Sequence, residues 1–159
     1  MKILIEEFRV LLGLLVKHDV NFILIGGYAV IYYGYDRTTG DIDVWLEPSN
    51  ENKPKVLKVL ADLGIQREDI ESVAAYDFTD PQMFFFGKKP KRIDFLTKIS
   101  GVQFAEAKEK VILAPVGEIL VPVIFYHHLI LSKISNERLK DKADIDMLQR
   151  INLRRKNPY

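Results

Sequence analysis

With 159 residues, 48% of them hydrophobic and 28% charged, the chain has the size and balance of one ordinary globular domain and not of a disordered segment. Its formal net charge of +1 supplies no overall field toward nucleic acid or an anionic membrane, so any polyanionic ligand has to be held by local groups. The absence of cysteine excludes disulfides, thiolate metal sites and a cysteine nucleophile.

Leu4, Phe8, Leu11, Leu12 and Leu15 recur at helical spacing and predict an amphipathic helix over 3–17. The apolar, β-rich run 20–25 has the composition of a buried strand. Gly26-Gly27 ends it, 28–33 turns into a second helix, and 35–40 is a polar, turn-rich loop. Over 41–47 the pattern alternates: Ile42, Val44 and Leu46 fall on one face, Asp41, Asp43, Trp45 and Glu47 on the other. Pro48-Ser49-Asn50 opens a helix with Val56, Val59, Leu60 and Leu63 on one side, which Gly64 stops. Segments 83–86 and 92–96 read as two strands joined through a loop of hairpin length. Further short strands are expected over 111–114 and 119–123, then two closing helices over 125–134 and 139–151.

No internal repeat, low-complexity linker or second core is visible, so the expected organisation is a single α/β domain over 1–151 with a basic tail over 152–159. The uncharged stretch 22–35 is broken by Gly26, Gly27 and Gly34 and falls short of the roughly 18 residues that suggest a membrane span. Glu6 and Glu7 ahead of the apolar 10–16 segment are the wrong charge pattern for a secretory signal. The expectation is a cytoplasmic protein without a membrane partner.

An Asp-x-Asp triplet alone means little, since roughly three acidic-x-acidic triplets arise by chance in a chain of this composition. Others stand at Asp69–Glu71 and Asp144–Asp146. Asp41-Ile42-Asp43 differs in its context. On a strand, residues i and i+2 point the same way about 7 Å apart, and their carboxylates can converge on a pair of cations about 3.5–4 Å from one another. On a helix the same spacing splays them, which makes Asp144 and Asp146 the poorer pair. Adjacent carboxylates repel unless a positive charge lies between them, and Mg²⁺ is the hard, oxygen-ligated ion that accompanies phosphates. Asp94 supplies a third member, opposite the apolar Ile93 and Phe95. With its strand antiparallel to 41–47, all three carboxylates share one patch; the plain alternative is a surface salt bridge to Arg92 or Lys98.

Gly26-Gly27 lies between a strand and a helix start, where missing side chains let a phosphate approach the backbone; a simple tight turn is the plainer reading. It is neither a P-loop nor the dinucleotide fingerprint. Arg37 precedes Asp41 in the loop and has the reach for a triphosphate. Lys133 is a cation embedded in an apolar helix, with a snorkelling surface lysine as the bland alternative. His127 and His128 are adjacent and do not face one site on a helix, so both are read as structural or surface groups.

Taken together, Ile25-Gly26-Gly27-Tyr28-Ala29, Arg37-Thr38-Thr39-Gly40-Asp41-Ile42-Asp43 and Ile93-Asp94 resemble the nucleotidyltransferase superfamily with the DNA polymerase β-like palm. Ile99-Ser100-Gly101, Val121-Pro122-Val123-Ile124 and Lys133 followed by Arg138-x-x-Asp141-x-x-Asp144 look like its small prokaryotic branch, the AbiEii-type and minimal nucleotidyltransferases. The resemblance covers about residues 20–150. It implies a mixed central sheet flanked by helices with two C-terminal helices, an α+β nucleotidyltransferase fold. It further implies transfer of NMP from an NTP such as ATP to a hydroxyl acceptor, with two Mg²⁺ ions bound by Asp41, Asp43 and Asp94. Asp94 would also help to deprotonate the acceptor, and Gly26, Gly27, Arg37 and Lys133 would hold the nucleotide. Relatives use protein side chains, a tRNA end or a small antibiotic as acceptor, and some are toxins of toxin–antitoxin or abortive-infection systems. A partner protein or antitoxin, an antibiotic-modifying activity and a non-catalytic regulatory role therefore stand as alternatives. Many relatives carry Gly-Ser where this chain has Gly26-Gly27, and the serine hydroxyl that touches phosphate is missing.

Overall fold

The computed structural model describes residues 4–156, 158 and 159. Its sheet is assembled around the alternation at 41–47. In chain order the elements are α1 (Glu6–Lys17), β1 (Phe22–Ile25), α2 (Gly26–Tyr32), β2 (Asp41–Leu46), α3 (Lys53–Asp62) and α4 (Arg67–Ala74). There follow β3 (Met83–Phe86), β4 (Arg92–Leu96), α5 (Phe104–Lys108), β5 (Ile112–Val116), β6 (Ile119–Val123), α6 (Tyr126–Ile134) and α7 (Leu139–Arg154). The six strands form one mixed sheet in the order β3-β4-β2-β1-β6-β5. The α/β architecture with two closing helices is as expected.

Hydrophobic burial accounts for most of these elements. Phe8, Leu11, Leu12 and Leu15 of α1 are fully buried, each worth about 1.5–3 kcal/mol against exposure. All four residues of β1 are buried, as a strand covered on both faces requires. Ile42, Val44 and Leu46 of β2 are completely inaccessible. The helix after β2 starts later than the Pro48-Ser49-Asn50 signal suggests, with Pro54 in its first turn, where a missing N–H costs nothing. Residue 3, placed in the first helix by periodicity, lies outside the described residues.

Several expectations change. β4 runs parallel to β2, not antiparallel: the chain leaves β2 through α3 and α4, enters the sheet edge as β3, and only then turns back through an antiparallel hairpin into β4. Parallel pairing still sets Asp43 directly opposite Asp94, so convergence does not depend on strand direction. Trp45, expected on the polar face, is buried, and its ring meets Phe104 of α5 edge-on at 5.2 Å. Within β2 that face is polar only at Asp41 and Asp43. Helices α4 and α5 were not anticipated: Val73 is the one buried residue of α4, and α5 is only five residues long, too little for a periodic signal. Helix α7 continues to Arg154, three residues into the segment expected as a tail. Beyond it Tyr159 stacks on Tyr126, and Asn157 lies outside the described residues.

Among the described residues, no helix is long and apolar enough to cross a membrane.

Candidate active site

Strand register builds the site. One row of directly opposed residues crosses the sheet as Ile25, Asp43, Asp94 and Phe85, on β1, β2, β4 and β3. Asp41 lies two residues before Asp43, on the same side of β2. One carboxylate oxygen from each of Asp41, Asp43 and Asp94 lies within 4.8 Å of the others, a grouping that could hold a metal ion. The chemistry of this donor set fits a hard divalent cation: three oxygen donors, no nitrogen or sulfur, and crowded negative charge.

The protonation energetics reflect the crowding. Burial, then the charges of Asp41 and Asp94, push Asp43 up to about 7; Lys140 and Lys133 offset only part of this. Asp94 is also raised, chiefly by burial, against the opposing effect of Arg92. The Arg92 Nε donates to Asp94 Oδ1 at 3.0 Å, so the salt bridge given above as the plain alternative is present, with Arg92 as partner, but its carboxylate is buried and not on the surface. Thr39 Oγ1 lies 3.3 Å from Asp41 Oδ1 and donates to it, orienting that side chain.

Gly26 is the first residue of α2 and has φ +68°, a left-handed conformation that favours glycine. A Cβ there would collide with Asp43 Oδ2. The glycine is therefore required by the carboxylate beside it as well as by the turn. At Gly27 a Cβ would come within 2.6 Å of Thr39 Oγ1 and 3.4 Å of Arg37 Nη1. A threonine hydroxyl thus fills the space in which a residue-27 side chain would begin.

Arg37 and Lys133 meet through α7. The Arg37 Nε and Nη2 donate to the two oxygens of Asp144 at 2.8 and 3.0 Å. Lys133 Nζ lies 2.9 Å from Asp144 Oδ2 and 3.1 Å from Asp141 Oδ1. Lys133 does not snorkel to solvent; it is 5% exposed. Burial pushes Asp141 up, but hydrogen bonds from Arg138 and Lys133 outweigh it and leave Asp141 below the usual carboxylate range. Asp146, by contrast, faces outward and pairs with Arg150, which is the splaying expected of the second Asp-Ile-Asp. His127 is exposed and His128 buried, so the adjacent pair shares no site.

A cavity of about 610 Å³ opens beside the carboxylates. Ile25, Gly26 and Asp43 form one wall, Met83, Leu96 and Lys98 a second, and Leu129, Lys133 and Arg138 close it from the helical side. Its volume falls in the range of small-ligand sites, and it combines an apolar floor with three cations. Asp41, Asp43, Asp94, Gly26 and Lys133 thus converge; Arg37 reaches the cluster only through Asp144 and the Gly27 contact. Sequence reasoning quoted Thr39 and the buried pair Asp141 and Asp144 within motifs but gave none of them a role in the site. For the pair, a signal was present: a spacing of three puts both on one helix face.

Residues 4–157 match the model of a family described as nucleotidyl transferase of unknown function (DUF2204). The chain belongs to this family. Among curated proteins, none matches it. The six-stranded mixed sheet and its flanking helices are consistent with a nucleotidyltransferase-like α+β fold.

Proposed function

We propose that this family member is an Mg²⁺-dependent nucleotidyltransferase that moves NMP from an NTP to a hydroxyl acceptor, on a DNA polymerase β-like palm of the AbiEii type. The observation that carries the reading is the meeting of three carboxylates from two strands beside Gly26, with no ion pair to Asp41 or Asp43 among the described residues and only a partial offset from Lys140 and Lys133.

Asp41, Asp43 and Asp94 would hold the metal. When bound, two magnesium ions supply the positive charge that stabilises the attacking and leaving oxygens of an in-line displacement. The chain's own residues do the rest. Gly26 leaves the approach to Asp43 open, and Lys133 and Arg138 line the cavity where a triphosphate has to lie. Arg37, held by Asp144, packs beside Gly27 and keeps the turn in place. Asp94 takes the proton of the acceptor hydroxyl as its oxygen bonds to the α-phosphorus. The α–β phosphoanhydride bond breaks and pyrophosphate leaves. Orientation and charge stabilisation account for such a reaction without a covalent enzyme intermediate.

One observation favours a second reading, a non-catalytic binding protein: Arg92 already occupies Asp94. Incubation with each labelled NTP, Mg²⁺ and a cell lysate, beside an Asp41→Ala/Asp43→Ala control, separates the two. Label transferred to an acceptor only by the unaltered chain supports the enzyme. Absence of label together with absence of Mg²⁺-dependent NTP binding by calorimetry overturns it, and NTP binding without transfer favours the binding protein.

A further inference from the structure

The sheet ends in two edges, β3 and β5, and they are guarded differently. Edge strands in natural proteins block the addition of a further strand with prolines, charges or bulges. β5 carries Pro115, which has no N–H to offer. β3 reads Met-Phe-Phe-Phe, with neither charge nor proline, and pairs with β4 in one unbroken register without a bulge. Met83 is 61% exposed and Phe85 54%, on the face of the sheet that carries Asp94. Phe84 turns to the other face and stacks on Phe95 at 5.2 Å.

The backbone of this edge is open as well. Thr97 N–H donates to the Gln82 carbonyl at 3.0 Å and Gln82 N–H donates to Thr97 Oγ1 at 2.8 Å, so residue 82 turns its backbone groups toward β4. The direction of these groups alternates along an antiparallel strand. Phe84 and Phe86 therefore also bond inward, and the N–H and C=O of Met83 and Phe85 point away from the sheet. Opposite charges flank the run. Asp80 precedes it, its carbonyl held by Thr97 Oγ1 at 2.7 Å, and Lys88 follows it. Both are exposed. Lys91 and Arg92 are taken by Glu7 and Asp94, whereas among the described residues neither Asp80 nor Lys88 has an ion-pair partner.

We propose that β3 is the interface of a homodimer in which two copies pair antiparallel about a two-fold axis at Phe84 and join their sheets into one. In that register Met83 lies opposite the partner's Phe85, and Phe85 opposite the partner's Met83, so every outward N–H and C=O of the two residues finds a partner. The same register sets the Asp80 end of one strand against the Lys88 end of the other, twice by symmetry. This charge match is what selects a second copy as occupant, since an extended segment of another protein would fill the backbone bonds without it. A two-fold contact of this kind is closed and does not propagate into fibres. The partner also adds to the cavity. Met83 lines it beside Pro81, Leu96 and Lys98, and the partner's Phe85 stands next to Met83 on the same face, about 4.8 Å farther out. Three strand spacings, about 14 Å, separate β4 from its copy, so both carboxylate clusters open on one side of a continuous sheet.

Sedimentation equilibrium on the full chain at micromolar concentration, without NTP or divalent ion, should find a dimer of the 18.4 kDa chain. Asp80→Lys and Lys88→Glu each turn two opposite-charge contacts into two like-charge ones, and each alone should weaken the dimer about tenfold. Mixing the two variants restores an opposite-charge match at both contacts and should restore association. Phe85→Pro deletes an N–H that bonds only the partner, and sheet edges accept proline. It should leave a monomer whose far-UV circular dichroism matches that of the unaltered chain.

The proposal is overturned if the unaltered chain stays monomeric, or if a folded Phe85→Pro chain dimerises with unchanged strength. It is also overturned if the mixed charge variants form no more dimer than either does alone, and these exposed substitutions decide the matter even where the proline variant fails to fold. A monomer that captures a labelled Met-Phe-Phe-Phe peptide would overturn it too, by giving the edge to a strand of another protein. Because the measurement contains neither NTP nor metal, its failure leaves the transfer reading standing, and failure of Mg²⁺-dependent NTP binding leaves the dimer standing.

Discussion

Two groups of aspartates border the same cavity and are wired in opposite ways. On β2 and β4, Asp41 and Asp43 crowd against Asp94, and among the described residues a single cation, Arg92, pairs with the group, at Asp94, the least exposed of the three. On α7, Asp141 and Asp144 are the more deeply buried, yet each is matched: Asp141 by Lys133 and Arg138, Asp144 by Lys133 and Arg37. Identical side chains thus carry opposite free-energy signs. Breaking a buried, matched pair is costly because it strands a charge. Relieving an unmatched cluster should stabilise the fold and, on the proposed function, weaken metal binding.

The largest expected effect follows from Asp43→Asn. Metal-dependent transfer should fall on the order of 10³-fold, since a divalent ion contributes several kcal/mol to such a transition state. The melting temperature should hold or rise, because a buried, repelled carboxylate is gone. A fall in melting temperature with metal affinity intact, read by calorimetry and thermal denaturation, would erase the contrast between the clusters.

Asp144→Asn should do the reverse. Arg37 and Lys133 lose a shared buried partner, at a cost of about 3–5 kcal/mol, visible as a reduced urea midpoint. Divalent-ion affinity should stay within a few-fold of the unaltered chain. Affinity lost to the same degree as in Asp43→Asn would move the metal site to α7.

Gly26→Ala sharpens the comparison from the backbone side. The left-handed conformation costs a non-glycine residue about 1–2 kcal/mol, and the new Cβ has to displace Asp43 Oδ2. Stability and divalent affinity should therefore fall together, whereas each aspartate variant moves one without the other. Urea denaturation with metal titration on one sample tests this.

A smaller effect belongs to pH. Asp43 is raised from 3.8 to about 7 in the folded chain, so between about pH 4 and 7 the folded state holds a proton that the unfolded state has released. Stability of the metal-free chain should decline as pH rises through that window. Excess Mg²⁺ should flatten the decline, because the ion takes the place of the proton. Melting temperatures at pH 5 and 8, with Mg²⁺ and with a chelator, measure both. A metal-free chain that gains stability across that window would contradict the raised value. Smallest of all, Asp146→Asn removes only an exposed pair with Arg150 and should change stability by less than about 0.5 kcal/mol in urea denaturation.

The difference between the clusters also marks how far sequence reasoning reaches. Alternation over 41–47 and the apolar partners of Asp94 were enough to put three acids on candidate strands, because a period of two is a local property. Trp45 shows where this fails: the same alternation assigned it to the polar side, but the short helix α5 covers it. Lys133 shows the converse. Its apolar neighbours said that the helix was buried without revealing whether the ammonium was, and only Asp141 and Asp144 from the following helix answer that.

What the residues determined alone are the elements with strong periodicity, the strand–glycine–helix turn and the identity of the acids, since each depends on neighbours a few positions away. The tertiary structure decided that β4 runs parallel to β2, that Asp43 faces Asp94 across the ladder, and that Arg37 and Lys133 share Asp144. These relations join residues tens of positions apart, and which charges meet depends on how the sheet and helices pack, a global free-energy minimum that no local pattern encodes.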